Sequence, residues 1–398
     1  MIPVWGAIVV AVGIGQMMRY SSMSLLVPTV IGVTLLYGLI FVGQAVPISL
    51  PETMLGVSDN IVWVILLFAY AGIASVLPVW VLLQPRDYIN GIQLFIALGI
   101  IYLATLIGAP DVVVPFYNGD VPDGTPSIVP LLFVTIACGA ISGFHGLVAS
   151  GTSSKQLDKE SDARLVGYGG AAGEGLLALA AIICTTAGFA SFGEWQQVYA
   201  AFGDGSVSAF VSGGAAILGG GLGIPEGIGL TILTVTAALF AGTTMDTGIR
   251  LQRYVIQEAG EITGIAPLKS GWGGTLLALV FCMGIAFGAG SDGSGGMAIW
   301  PLFGTSNQLL AALTLLMVTV LLAQRGRSTI YTIAPLCFLM IMTLYALVLQ
   351  IGDFLGQGNY VLMVMALIIL GAAIMVAVTA VRTLRATGFE WISNAPQT

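Results

Sequence analysis

The chain's one histidine, His145, lies in the run Cys138-Gly139-Ala140-Ile141-Ser142-Gly143-Phe144-His145-Gly146. A serine and a histidine set between glycines inside an apolar stretch favour a locally unwound helix, whose freed backbone groups can bind an ion or a carboxylate. A neutral imidazole with an ordinary pKa of about 6.5 can also relay a proton. Ser142, Gly143 and His145 are therefore candidate substrate contacts, and His145 a candidate for proton coupling. A hydrogen-bonded packing histidine is the competing reading, and the segment alone leaves the two level.

Other polar residues extend the set. Glu174, in Gly173-Glu174-Gly175, must be paired, protonated or in water if it sits in lipid. It is read either as a second proton-coupling group or as a carboxylate at a helix end. Thr243, Thr244 and Asp246 carry oxygens suited to a cation such as sodium, although an Asp246–Arg250 pair at a membrane edge is the plainer reading. Ser306-Asn307-Gln308 puts three polar residues in a row, which a lipid-facing turn does not tolerate. They either hydrogen-bond a neighbouring helix or line a path, so Asn307 and Gln308 join the substrate candidates. In Gln84-Pro85-Arg86-Asp87-Tyr88, Pro85 disfavours helix at Gln84. Arg86 with Asp87 is read as a gate latch, with a solvated helix end as the alternative.

Enzyme chemistry finds no foothold. One histidine excludes a His-rich metal site, and the sequence has no HExxH, GxSxG or P-loop lysine motif. Cys138, Cys184, Cys282 and Cys337 lie far apart in apolar stretches without a CxxC pair, so burial is expected rather than disulfides or metal. No cofactor or metal is expected, and no basic run points to nucleic acid. ATP-driven transport would need a partner chain.

The elements that position these residues follow from composition. Hydrophobic residues make up 57% of the chain and charged ones 8%, with a mean hydropathy of +0.99. A soluble domain carries roughly 25% charged residues, so this chain cannot build a water-facing surface. A membrane helix needs about 20 apolar residues. The pattern predicts an all-α polytopic membrane protein with eleven spans, at 3–18, 24–46, 61–83, 90–109, 127–149, 170–190, 227–246, 272–290, 297–322, 329–350 and 361–381. The Gly-rich apolar stretch 207–224 is expected to be a re-entrant or broken segment, which survives at membrane depth only where protein or water satisfies its backbone. Residues 1–385 are read as one transmembrane domain and 386–398 as a cytoplasmic tail. The 54 glycines suit close packing between membrane helices.

Charge tests the span count. Cytoplasmic loops are enriched in Lys and Arg. All twelve basic residues fall after odd-numbered spans: Arg19; Arg86; Lys155, Lys159 and Arg164; Arg250, Arg253 and Lys269; Arg325 and Arg327; Arg382 and Arg385. The intervening loops hold acids only, namely Glu52, Asp59, Asp111, Asp120, Asp123, Glu194, Asp204, Asp292 and Asp353. The alternation places the C-terminus in the cytoplasm and the N-terminus, as given, outside. Met1 runs straight into an apolar segment, without the basic head and cleavage site of a signal peptide.

Several strings resemble the carbon starvation protein A family. They are Tyr70-Ala71-Gly72-Ile73-Ala74-Ser75-Val76-Leu77-Pro78-Val79-Trp80, Leu83-Gln84-Pro85-Arg86-Asp87-Tyr88, Ile136 through His145, Val148-Ala149-Ser150-Gly151-Thr152, Leu165-Val166-Gly167-Tyr168-Gly169, Thr244-Met245-Asp246-Thr247, and Phe303 through Ala312. The resemblance runs from about residue 60 to 325 and is weaker around 5–45. It implies an amino acid–polyamine–organocation type of transporter, with a LeuT-like inverted-repeat core around a midplane site. The family's opening spans, with a Gly-rich, His-containing segment, have no counterpart here, so the core is expected to be incomplete at its N-terminus and a start upstream of Met1 is expected. The resemblance further implies a secondary active importer in the bacterial inner membrane. The expected activity is proton-coupled symport of pyruvate or a similar small monocarboxylate, with peptide uptake in carbon starvation as the alternative and sodium as the alternative coupling ion.

Overall fold

Long apolar runs become helices because in lipid every backbone N–H and C=O must be satisfied within the segment. The computed structural model describes residues 2–386 apart from 21–22, 47, 49, 52, 55, 123–124, 202–204, 289–292 and 294. Glu52, Asp123, Asp204 and Asp292, the tail beyond residue 386, and the side chains of Cys138 and Arg385 lie outside the described residues.

The chain begins with α1 (Ile2–Tyr20) and α2 (Leu26–Ala45), then a minimal hairpin in which β1 (Thr53–Met54) pairs antiparallel with β2 (Val57–Ser58). Next come α3 (Asp59–Val76) and α4 (Leu83–Gly108), followed by the short α5 (Phe133–Ala140) and α6 (Gly143–Gly151). The helix α7 (Asp162–Ala187) leads to α8 (Phe192–Val198), α9 (Ser206–Leu222) and the long α10 (Glu226–Thr263). The remainder is α11 (Ala266–Lys269), α12 (Gly271–Gly288), α13 (Gly295–Ala298), α14 (Trp300–Gln324), α15 (Ile330–Gly356) and α16 (Tyr360–Ala386).

Among the described residues, ten helices are long and apolar enough to cross a membrane: α1, α2, α3, α4, α7, α10, α12, α14, α15 and α16. Each matches an expected span. The eleventh, 127–149, is broken, with α5 ending at Ala140 and α6 starting at Gly143. Exposed Leu, Ile, Val and Phe side chains stud nearly every one of these helices. Such outward apolarity fits lipid and not water.

Three expectations change. Of the two readings of 207–224, the broken one falls: α9 is a continuous helix of 17 residues. Its glycines serve packing rather than breakage. A Cβ on Gly221 would stand 2.1 Å from the Ala104 carbonyl oxygen, and one on Gly213 2.0 Å from that of Cys184. Only bare backbone lets α9 come that near to α4 and α7. Second, Arg86, Arg250 and Arg253 are not loop residues. All three lie inside helices, α4 and α10, and are buried. Third, burial fits Cys184 but not Cys337, which is exposed; Cys282 is intermediate.

The chain divides into two compact units, residues 1–125 with 170–293, and 126–169 with 294–398. The first has one core where Leu98, Ile101 and Ala104 of α4 meet Ala180 and Cys184 of α7, Val211, Ile217 and Leu218 of α9 and Leu233 of α10. A second core joins Ala7 and Ile14 of α1 to Leu36 and Ile40 of α2, Ile89 of α4, and Val235 and Leu239 of α10. In the other unit, Leu302 of α14 packs with Leu347 and Phe354 of α15 and Leu362 and Ala366 of α16.

Candidate functional site

In the second unit the helix break is sealed by α14. Ser142, in extended backbone (φ −110°, ψ 130°), caps α6, its hydroxyl accepting from the His145 backbone N–H at 3.5 Å. The Asn307 side chain, 2% exposed, reaches into the same gap. Its Oδ1 accepts from the Phe144 N–H at 2.8 Å, and its Nδ2 donates to Ser142 Oγ at 3.1 Å. A helix start leaves backbone N–H groups without intrahelical acceptors, and Asn307 supplies one across the interface. Replacing Asn307 by alanine strands the Phe144 N–H and is expected to destabilise the protein by about 1–3 kcal/mol. Thermal melting of the purified variant measures this, and an unchanged midpoint would show that the bridge carries no stability.

The other candidates in this unit are placed differently. His145 stands exposed in the first turn of α6. Gln308 is fully buried, and neither of its amide atoms has a hydrogen-bond partner among the described residues. Beside it, Thr305 Oγ1 donates to Gln350 Oε1 at 2.9 Å, and Gln350 Nε2 donates to the Pro301 carbonyl at 2.8 Å. Thus Ser142, Gly143 and Asn307 meet at the break, whereas Gln308 follows a separate buried course.

In the first unit the charges converge on α3, α4 and α10. Arg86 and Asp246 form a buried ion pair through Nη1 and Oδ2, 3% and 1% exposed. Arg86 Nη1 also contacts the Tyr70 hydroxyl, which donates to Asp246 Oδ2 at 2.9 Å. This corrects two local readings. Asp246 is bonded to Arg86 and not to Arg250, and Arg86 does not sit at a solvated helix end but is buried, while Asp87 is exposed. Arg250 Nη2 instead donates to the Ala74 and Leu77 carbonyls at 2.7 and 2.9 Å, completing the end of α3, whose last carbonyls have no helical partners. The physical reason is directional: Arg86 shares the buried face of α4 with Leu83, Pro85, Ile89 and Asn90, whereas Asp87 lies on the exposed side.

The proposed cation ligands are not gathered. Thr243 Oγ1 donates to the Leu239 carbonyl at 2.5 Å and receives Asn90 Nδ2 at 3.3 Å. Thr244 is exposed, and the Asp246 carboxylate is already faced by a guanidinium. Among the described residues no cluster of three or more His, Cys, Asp or Glu side chains could hold a metal. Glu174 is half-buried in α7.

Beside the ion pair lies a cavity of about 270 Å³, lined by Trp5 and Ile8 of α1, Trp63, Leu67 and Tyr70 of α3, Arg86 of α4, and Ala238, Leu239, Ala241, Gly242 and Met245 of α10. Sequence reading missed Tyr70, Trp5 and Trp63 as site residues. Trp5 and Trp63 gave only the signal of a tryptophan near the start of a span, which interfacial aromatics also produce, and Tyr70 sits mid-span.

Ten long apolar helices among the described residues, and within the first unit a buried pair of opposite charges, define a polytopic membrane protein. The chain belongs to the carbon starvation protein CstA family, whose profile matches residues 1–198 and 190–346. It is 32% identical over 397 residues to the peptide transporter CstA of Helicobacter pylori J99, covering 86% of this chain and 58% of that protein. It is 31% identical over 340 residues to the peptide transporter CstA of Escherichia coli K12, covering 71% and 48%. The pyruvate/proton symporter BtsT of E. coli K12 is 28% identical over 359 residues, covering 72% and 50%. The chain thus spans about half the length of the curated relatives it matches. No solved structure matches it.

Proposed function

We propose that the chain forms transport machinery of a secondary active importer in the bacterial inner membrane, taking up pyruvate or a similar small monocarboxylate with a proton. The C-terminus lies on the cytoplasmic side. One observation supports this most: the Arg86–Asp246 pair, buried among apolar helices with Tyr70 bonded to both. A buried ion pair is no more stabilising than well-packed apolar residues of its size, and ionisable groups in spans mark substrate and ion pathways. Asp246 already faces a cation, which disfavours sodium there. In this reading His145 and Glu174 pass the proton. Ser142, Gly143 and Asn307 hold the break, and Gln308 offers its amide to the path. Peptide uptake is the second reading, favoured by the names of the Helicobacter and Escherichia relatives.

Proteoliposomes of the purified chain test it. Labelled pyruvate should accumulate under an inward proton gradient, collapse with a protonophore and ignore sodium replacement, while dialanine fails to compete. Accumulation of dialanine in place of pyruvate, or dependence on sodium alone, would overturn the reading. Uptake unchanged in both His145→Ala and Glu174→Gln would remove those two residues from coupling.

A further inference from the structure

A guanidinium has two usable edges, and Arg86 commits only one corner of them. Its Nη1 holds Asp246 and Tyr70. Its Nε and Nη2, which together form the parallel fork that fits a carboxylate, have no hydrogen-bond partner among the described residues, although Arg86 is 3% exposed. Buried donors are almost always satisfied, so a pair left open needs an explanation. Arg86 also lines the cavity among α1, α3, α4 and α10.

The cavity's other walls say what else the ligand is. Val4, Trp5, Ile8, Trp63 and Leu67 are apolar or aromatic, and no acidic side chain is among the lining residues. A volume of about 270 Å³ is just below the range of roughly 300–1,000 Å³ typical for drug-sized ligands. A free peptide would bring an ammonium and amide groups that find no partners there, and unpaired polar groups weigh against binding. A short acid with an apolar end brings far fewer polar groups: its carboxylate and, in pyruvate, one keto oxygen.

We propose that the Nε–Nη2 edge of Arg86 binds the carboxylate of a small monocarboxylic acid whose apolar end fills the cavity beside Trp5, Trp63 and Tyr70. This rests on the reading of the protein as a monocarboxylate importer and names the site of that substrate. Asp246 and Tyr70 hold the guanidinium through Nη1 alone, which leaves its Nε–Nη2 edge uncommitted. Arg250, four residues along α10 and buried, places a second cation near the two anions that the bound state brings together.

Equilibrium binding of labelled pyruvate to the purified chain, with thermal melting as a fold check, tests the site. Gly242 lines the cavity, and a Cβ there would meet nothing within 4 Å. Gly242→Leu therefore fills the cavity while leaving the ion pair intact. The double variant Arg86→Gln with Asp246→Asn removes the fork without stranding a charge. Each should bind pyruvate about 10- to 100-fold more weakly than the wild type, and methyl pyruvate, which lacks the charge, should not compete. Wild-type affinity in Gly242→Leu, or in a folded double variant, overturns the site while leaving the importer reading in place. Wild-type protein that binds dialanine and not pyruvate overturns the importer reading and this site with it.

Discussion

Asp246→Ala is expected to destabilise the protein by about 3–5 kcal/mol, because it leaves the Arg86 guanidinium buried without its counter-charge. Both members are almost wholly out of contact with solvent, 3% and 1% exposed, so neither water nor salt can substitute. Arg86→Ala should cost a similar amount for the mirror reason. The neutral double variant Arg86→Gln with Asp246→Asn should recover most of the loss, since it strands no charge. Thermal melting in one detergent compares all four proteins. If the single variants melt with the wild type, the pair is not buried in the folded protein.

The second large effect is steric. A Cβ on Gly143 would lie 2.2 Å from Leu310 Cβ, 2.3 Å from the Asn307 carbonyl oxygen and 2.6 Å from the Ala311 backbone nitrogen. Two of these three neighbours are backbone and cannot rotate aside. Gly143→Ala must therefore push α6 from α14, at an overpacking cost of about 1–3 kcal/mol. The shift also stretches the bond from the Phe144 N–H to Asn307, so the break loses its seal. Gly139, in α5, has nothing within 4 Å of a built Cβ, and Gly139→Ala should be near neutral. Equal melting of the two variants would contradict the close approach of α6 and α14.

What sequence made legible was whatever acts locally. Ten spans stand out because a run of about 20 apolar residues has few other uses. The interruption near Ser142 shows because serine and flanking glycines weaken a helix in place. The Arg86–Asp246 pair was hidden for the opposite reason. The two residues are 160 positions apart, and each has a nearer opposite charge, Asp87 and Arg250, that a local reading prefers. Charge alternation also pulled Arg86 and Arg250 into loops, since that rule scores residues near span ends without seeing whether they turn inward. The stretch 207–224 misled through composition: glycine both breaks helices and lets them approach, and only the neighbours of Gly213 and Gly221 show which role applies. The cavity needed α1, α3, α4 and α10 assembled before it existed at all.

The length of α10 has a mechanical consequence. Its 38 residues extend for about 57 Å, nearly twice the hydrocarbon thickness of roughly 30 Å. Asp246 lies near its middle, and the stretch from there to Thr263 is about 25 Å of rigid rod. A tilt of about 10° pivoting at the ion pair swings that tip by about 4 Å. Glu258 and Glu261 ride on the tip, so a change too small to see at the guanidinium would be amplified into a displacement of surface charge, as the far end of a lever reports its fulcrum.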